Sequence, residues 1–190
     1  MELHSVKIAG SGTIFAGEYD VVSIAGTGKG YGQIICQTLK VAGTGKFEGR
    51  VEAKEVSVAG TAKFLSELKC DKIKIAGVTK VSGDVISEEL KVDGVIVVEG
   101  ECNVGSLKHD GEGSEYNNIY GENIEIEGRR NKLVKFNEIE ATSITLKNVN
   151  GKRVSGNEVK ITGKSVIDVI EFKEKLSLSK DVVVKEIVRL

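Results

Sequence analysis

Of the side chains that ordinarily carry catalysis, this sequence offers two histidines, His4 and His109, and three cysteines, Cys36, Cys70 and Cys102. His109 has the suggestive neighbours: Asp110, Glu112, Glu115, Tyr116, Asn117, Asn118 and Tyr120 follow it closely. A His near a Glu is the acid and base pair that a hydrolase or an acyltransferase uses. No nucleophile with its own base and no phosphate loop accompanies them, so the alternative is that this polar stretch bulges out as a loop. His4 suggests nothing. The cysteines show no CxxC and no Cys/His ligand spacing, which speaks against a metal site. Reduced thiols of this kind suit a cytoplasmic address. The phrase AGTG at 25–28 and 42–45 lacks the helix that a dinucleotide fingerprint must open, and strand-like residues follow it. No cofactor is called for.

What positions these residues is an internal repeat. The phrase VKIAG ending at Gly10 returns as VSIAG at Gly26, LKVAG at Gly43, VSVAG at Gly60, IKIAG at Gly77, LKVDG at Gly94, LKHDG at Gly111 and IEIEG at Gly128. A period of about 17 residues that carries Val-x-Val or Ile-x-Ile, without helical spacing, predicts short strands stacked as coils. Within 39–55 the apolar or small pairs are Leu39 and Val41, Gly45 and Phe47, Val51 and Ala53. Each pair flanks one polar residue that alternation sends to the opposite face. Three strands per coil make a triangle, with glycines such as Gly43 and Gly49 expected at corners that need positive φ.

Stacked coils turn these positions into columns. The predicted core columns are Ile34, Val51, Leu68, Val85, Cys102, Ile119, Phe136; Val22, Leu39, Val56, Ile73, Leu90, Leu107, Ile124; Ile8, Ile24, Val41, Val58, Ile75, Val92; and Phe47, Phe64, Val81, Val98. His109 continues the third column inward, and Glu115 takes the place that Phe47 and Val81 hold earlier. Cys36 and Cys70 share a column two coils apart, roughly 9.6 Å, too far for a disulfide. A lone coil cannot offset the entropy of ordering it, so only neighbours make it stable. After Gly128 the period slips by three residues, because the next apolar pair is Ile144 and Leu146. Alternation then resumes, so 1–128 reads as regular repeats and 129–190 as an irregular continuation of one all-β, single-stranded parallel β-helix of about ten coils. No linker separates the two parts.

Composition removes other classes. A net charge of −1 leaves no basic footprint for nucleic acid. The longest apolar run, 95–98, is far short of a membrane span. The N-terminus carries Glu2, His4 and Lys7 rather than the apolar stretch of a secretory signal. Lys29, Lys46, Lys63 and Lys80 form an outward column, one per coil, which serves either as a solvated ladder that discourages sheet contact or as a strip for an acidic partner.

Laid out this way, the phrase LKVAGTGKFEGRV at 39–51, with its copies, resembles the bactofilins, a bacterial family of polymer-forming cytoskeletal proteins. The tail 166–187 resembles the ending of family members with an extended C-terminal part. The resemblance implies a right-handed coil and a non-enzymatic protein that assembles end to end, without nucleotide, into filaments that scaffold other proteins. Many relatives have Pro-rich tails and a short N-terminal membrane-targeting segment; here the first repeat begins by Val6 and proline is absent, so membrane attachment is not supported.

Two functions are therefore weighed. The leading one is a cytoplasmic, self-associating scaffold whose contacts are the end coils: Val6, Ile8 and Ile14 at one end, Val182, Val184 and Ile187 at the other. The competing one is a β-helix enzyme, an acyltransferase or polysaccharide-active protein, using His109 and Glu115.

Overall fold

Alternation within each short segment sets which side chains turn inward. In the computed structural model, which describes residues 3–190, the pattern is read directly: along Val51–Val58 the buried residues are Val51, Ala53, Val56 and Val58, with a phase change at Lys54 and Glu55 where the chain turns a corner. Glu2 lies outside the described residues. The early coils alternate four-residue and eight-residue strands: β1 (His4–Ile8), β2 (Ser11–Ile14), β3 (Gly17–Ile24), β4 (Thr27–Gly30), β5 (Ile34–Val41), β6 (Thr44–Phe47), β7 (Val51–Val58), β8 (Thr61–Phe64), β9 (Leu68–Ile75), β10 (Val78–Val81) and β11 (Val85–Val92). Longer strands that wrap corners follow: β12 (Val95–Asp110), β13 (Glu115–Glu127), β14 (Val134–Lys147), β15 (Val149–Thr162), β16 (Val166–Leu178) and β17 (Val183–Arg189).

All seventeen strands belong to one sheet and every pairing between them is parallel. The result is a β-solenoid of about 11 turns with about 17 residues per turn, one turn more than the sequence count. Each coil has three sides: a first side with the Gly45 and Phe47 pair, a second with Val51 and Ala53, a third with Val56 and Val58. No helix of the described residues is long and apolar enough to cross a membrane.

The core is the set of stacked columns. Val22, Leu39, Val56, Ile73, Leu90, Leu107 and Ile124 follow one another in register and are buried. Burying a β-branched or Leu side chain in such a column contributes about 1.5–3 kcal/mol. Where the column holds large rings, small residues make room. Phe47 and Phe64 stack with centroids 4.9 Å apart, and a Cβ at Gly30 would stand 2.7 Å from Phe47. Phe136 needs Gly151 in the same way, since a Cβ there would stand 2.1 Å from its ring. Phe136 does not follow Ile119 as the sequence count had it. Ile139 does, and Phe136 stacks over Tyr116.

The corner glycines have a different cause from the one expected. Gly43 and Gly49 are not among the glycines with positive φ, which are Gly32, Gly113 and Gly163. What excludes a side chain is the coil beneath: a Cβ at Gly43 would lie 2.0 Å from the Gly26 carbonyl oxygen, and one at Gly49 2.0 Å from that of Gly32. Next to this contact the Thr44 N–H donates to Gly26 O at 2.8 Å. Close backbone approach, not handedness, fixes the residue type.

Candidate functional site

The polar coil around His109 is where the competing enzyme reading would place its chemistry, and the backbone there explains what the side chains do. Its period of 17 hides a compensated slip. Val98 pairs with Tyr116, 18 residues on, and Glu101 with Asn118, 17 on. One residue is added in the turn around Gly113, which takes φ +65°, and one is lost before Asn118. Tyr116, not Glu115, therefore continues the Phe47, Phe64, Val81, Val98 column. Glu115 falls into the outward column, opposite Val97, and its carboxylate meets Lys135 Nζ at 3.1 Å.

His109 does continue the third column, between Val92 and Ile126, and is 1% exposed. Its Nδ1 lies 2.8 Å from the Tyr116 hydroxyl, while Nε2 has no hydrogen-bond partner. Burial pushes its pKa down to about 4, against the pull of Asp110 and Asp93, with Arg129 adding to the depression. The phenol of Tyr116, also buried, is held well above its usual range by desolvation. The coil does not bulge out as a loop: β13 runs through it in register, and Ser114, fully buried, accepts the Ile96 N–H at 3.0 Å. The His109 and Glu115 pair does not form. A neutral imidazole sealed in the core beside a phenol packs and hydrogen-bonds; it does not reach a substrate. Tyr116 as its partner was missed because the repeated phrase keeps its interval across the slip; the aromatic pair Tyr116 and Phe136, one coil apart, was the available signal.

The three-residue insertion after Gly128 is real. Ile124 pairs with Ile144 and Ile126 with Leu146. The extra residues form an exposed turn, with Arg129 bridged to Lys132, whose cations reach back to Asp110 at 2.6 Å and Glu112 at 2.8 Å. The following corner compensates by using one residue, Asn148, at φ 54°. Its buried amide donates to Gly128 O at 2.9 Å and accepts the Lys164 N–H at 3.1 Å. Asn tolerates this left-handed conformation better than most side chains.

The thiols are spacers. Cys36, Ala53, Cys70 and Ser87 follow one another in a column, and all three cysteines are free and buried. Desolvation raises Cys36 to about 11 and both Cys70 and Cys102 to about 12. Such thiols stay protonated and unreactive.

At the surface, Lys29, Lys46, Lys63 and Lys80 stand in adjacent register on β4, β6, β8 and β10, beside the threonines Thr27, Thr44 and Thr61. Lys46 pairs with Glu48 at 2.9 Å and Lys80 with Glu99 at 2.5 Å. At the ends, β1 pairs only with β3 and β17 only with β16. Ile8 and Ile14 begin their columns already buried, and Val6 is half-buried. Val184 and Ile187 stack on Ile167 and Ile170, and Ile187 remains 49% exposed. Val182 packs against the core from the preceding turn.

An all-β solenoid whose His109–Tyr116 pair is locked in its core, with a strand at each end that pairs on one side alone, is a structural repeat protein in class. The chain belongs to the bactofilin family: the family model described as polymer-forming cytoskeletal matches residues 6–103. The tail 166–187 lies outside that match. No curated protein and no solved structure matches the chain.

Proposed function

We propose that this bactofilin is a non-enzymatic scaffold that polymerises by stacking rods end to end, without nucleotide, in the cytoplasm, and carries other proteins along its length. The observation that carries this reading is the state of the two outermost strands. β1 and β17 each leave one row of backbone donors and acceptors without a strand, and at the C-terminal side the core columns finish in half-buried Val184 and exposed Ile187. An open edge flanked by apolar side chains is a template for another chain. The core of the next subunit, beginning at Val6, Ile8 and Ile14, continues the columns across the junction.

The test is negative-stain microscopy and sedimentation of the parent beside Val184→Asp. A charge at Val184 is desolvated without a partner once the junction closes. The expected result is a folded variant, with the parent's circular dichroism, that stays short. Filaments of Val184→Asp like those of the parent place the contact elsewhere, and a parent that stays monomeric at every concentration and salt tested sinks the scaffold reading.

A further inference from the structure

At the corner between the second and third sides, the Cys36 column passes from Ser87 to Val104 and then nearly loses its side chains: Gly121, Ala141 and Gly156 follow in register before Phe172 closes the run. The result is a notch of about 470 Å³ in the later coils. Its floor is held bare by packing, since a Cβ at Gly121 would lie 2.5 Å from the Val104 carbonyl oxygen and one at Gly156 2.8 Å from that of Ala141. One wall carries Glu140 and Ser155, stacked in register on β14 and β15; the other carries Thr142, Asn157 and Lys173. Small residues alone would make only a gap, but a polar group also points into this one. Of the four buried serines among the described residues, Ser87, Ser114 and Ser165 are hydrogen-bonded within the chain. Ser155, 8% exposed, makes no side-chain hydrogen bond and lines the notch. The charges on the walls are free as well. Arg153 engages the neighbouring Glu138 and Glu171, whereas Glu140 and Lys173 enter no ion pair among the described residues. An earlier stretch of the same corner, about 340 Å³ beside Glu52, Asp71, Glu88 and Glu122, differs on both counts. Its lysine, Lys69, faces Glu52 at 4.0 Å, and its serine, Ser87, already donates to backbone carbonyls.

We propose that this notch binds a short zwitterionic peptide lying along the rod, its ammonium at Glu140 and its carboxylate at Lys173. Spacing selects the length. Glu140 and Lys173 stand two coils apart, roughly 9.6 Å along the axis. An extended chain covers about 3.3–3.6 Å per residue, so about three residues bridge the two charges and two fall short. Ser155, in the coil between, and Thr142 and Asn157 on the facing wall supply hydroxyl and amide groups that both donate and accept. That suits peptide bonds, each of which offers one N–H and one C=O. Alternation turns the middle side chain of the peptide towards the bare floor and its two neighbours outward. A neutral disaccharide of similar length meets the same hydroxyls but leaves both wall charges unmatched. The notch lies within one subunit, so a filament displays one per chain and occupancy does not depend on the end contacts.

The experiment is a saturation-transfer NMR titration of the full chain with tri-L-alanine, its N-acetyl and C-amide forms, di-L-alanine and cellobiose. The proteins compared are the parent, Glu140→Gln, Lys173→Met and Ser155→Ala, each checked for the parent's circular dichroism. The parent is expected to bind tri-L-alanine with a Kd on the order of 1 mM. Acetylation and amidation should each weaken binding about fivefold, the worth of a partly exposed ion pair. Glu140→Gln should weaken the free peptide by the same factor and no longer distinguish the N-acetyl form; Lys173→Met should no longer distinguish the amide. Ser155→Ala should weaken all three forms alike. Capped peptides that bind the parent as well as the free one, or variants that keep the parent's discrimination, overturn the proposal. So does absence of saturation transfer at roughly 10 mM tri-L-alanine. Di-L-alanine that binds as tightly as tri-L-alanine also overturns it, because two residues do not span the charges. Cellobiose that binds where tri-L-alanine does not, and is lost in Ser155→Ala, assigns the notch to a saccharide instead. Every arm reads the same on single rods and on filaments, so failure of the end-to-end reading leaves the peptide site standing.

Discussion

His109 couples the stack to acid. Its folded pKa is about 4, set by desolvation, against about 6.5 for an unfolded chain. Between those values the unfolded chain holds the extra proton, so the stabilisation is fully present above about pH 6.5 and is lost as pH falls towards 4. The window is worth about 3 kcal/mol. Replacing the pair by His109→Ile with Tyr116→Phe restores an apolar column, so its melting temperature should fall less steeply than the parent's between pH 6.5 and 4. Equal slopes in the two proteins would mean that His109 is not held neutral in the core. The corner glycines permit a sharper comparison. At Gly60 a Cβ stands 2.0 Å from the Gly43 carbonyl oxygen, whereas at Gly10 nothing lies within 4 Å. Gly60→Ala should cost about 1–3 kcal/mol in chemical denaturation, and Gly10→Ala should stay within about 0.5 kcal/mol of the parent. If both are neutral, the corner is looser than the carbonyl contacts require.

At the scale of strands and corners, the single-residue turn between β14 and β15 is the most exacting. Asn148→Ala loses both amide hydrogen bonds and keeps an unfavourable φ, for a cost of about 2–3 kcal/mol; Asn148→Gly relieves the φ and should recover part of it. Melting the two variants beside the parent checks the order, and an alanine variant as stable as the glycine one would remove φ from the account. This corner also marks the limit of what the sequence tells. Columns such as Val22 to Ile124, the lysine ladder, and the spacing of Cys36 from Cys70 were legible because one inward residue type recurs at one interval. Glu115 was misplaced because an added residue near Gly113 is offset by a lost one before Asn118, and Phe136 because the three-residue insertion after Gly128 shifts the strand that follows it. A count of intervals registers only the net change, whereas backbone hydrogen bonds register each step. The groove at the corner between the second and third sides was not legible for a related reason: only stacking brings Glu52, Asp71, Glu88 and Glu122, from four of five consecutive coils, to one corner.

At the scale of the molecule, about 11 turns at roughly 4.8 Å give a rod about 50 Å long. Circular dichroism should show strand with almost no helix, and sedimentation of the disassembled protein should give the frictional ratio of a rod; helix above about a quarter would contradict the fold. The parallel pairing of every coil to the next has a mechanical meaning as well. The hydrogen bonds between coils point along the rod, so a pull on its two ends loads them one coil after another, not all at once. Compression presses the coils together and is resisted by the whole packed column. A single rod stretched in an optical trap should therefore lengthen in discrete slips at modest force, each releasing one coil of about 17 residues, or roughly 60 Å of chain. A cytoskeletal element of this design behaves as a strut: stiff when pushed, and shedding load coil by coil when pulled.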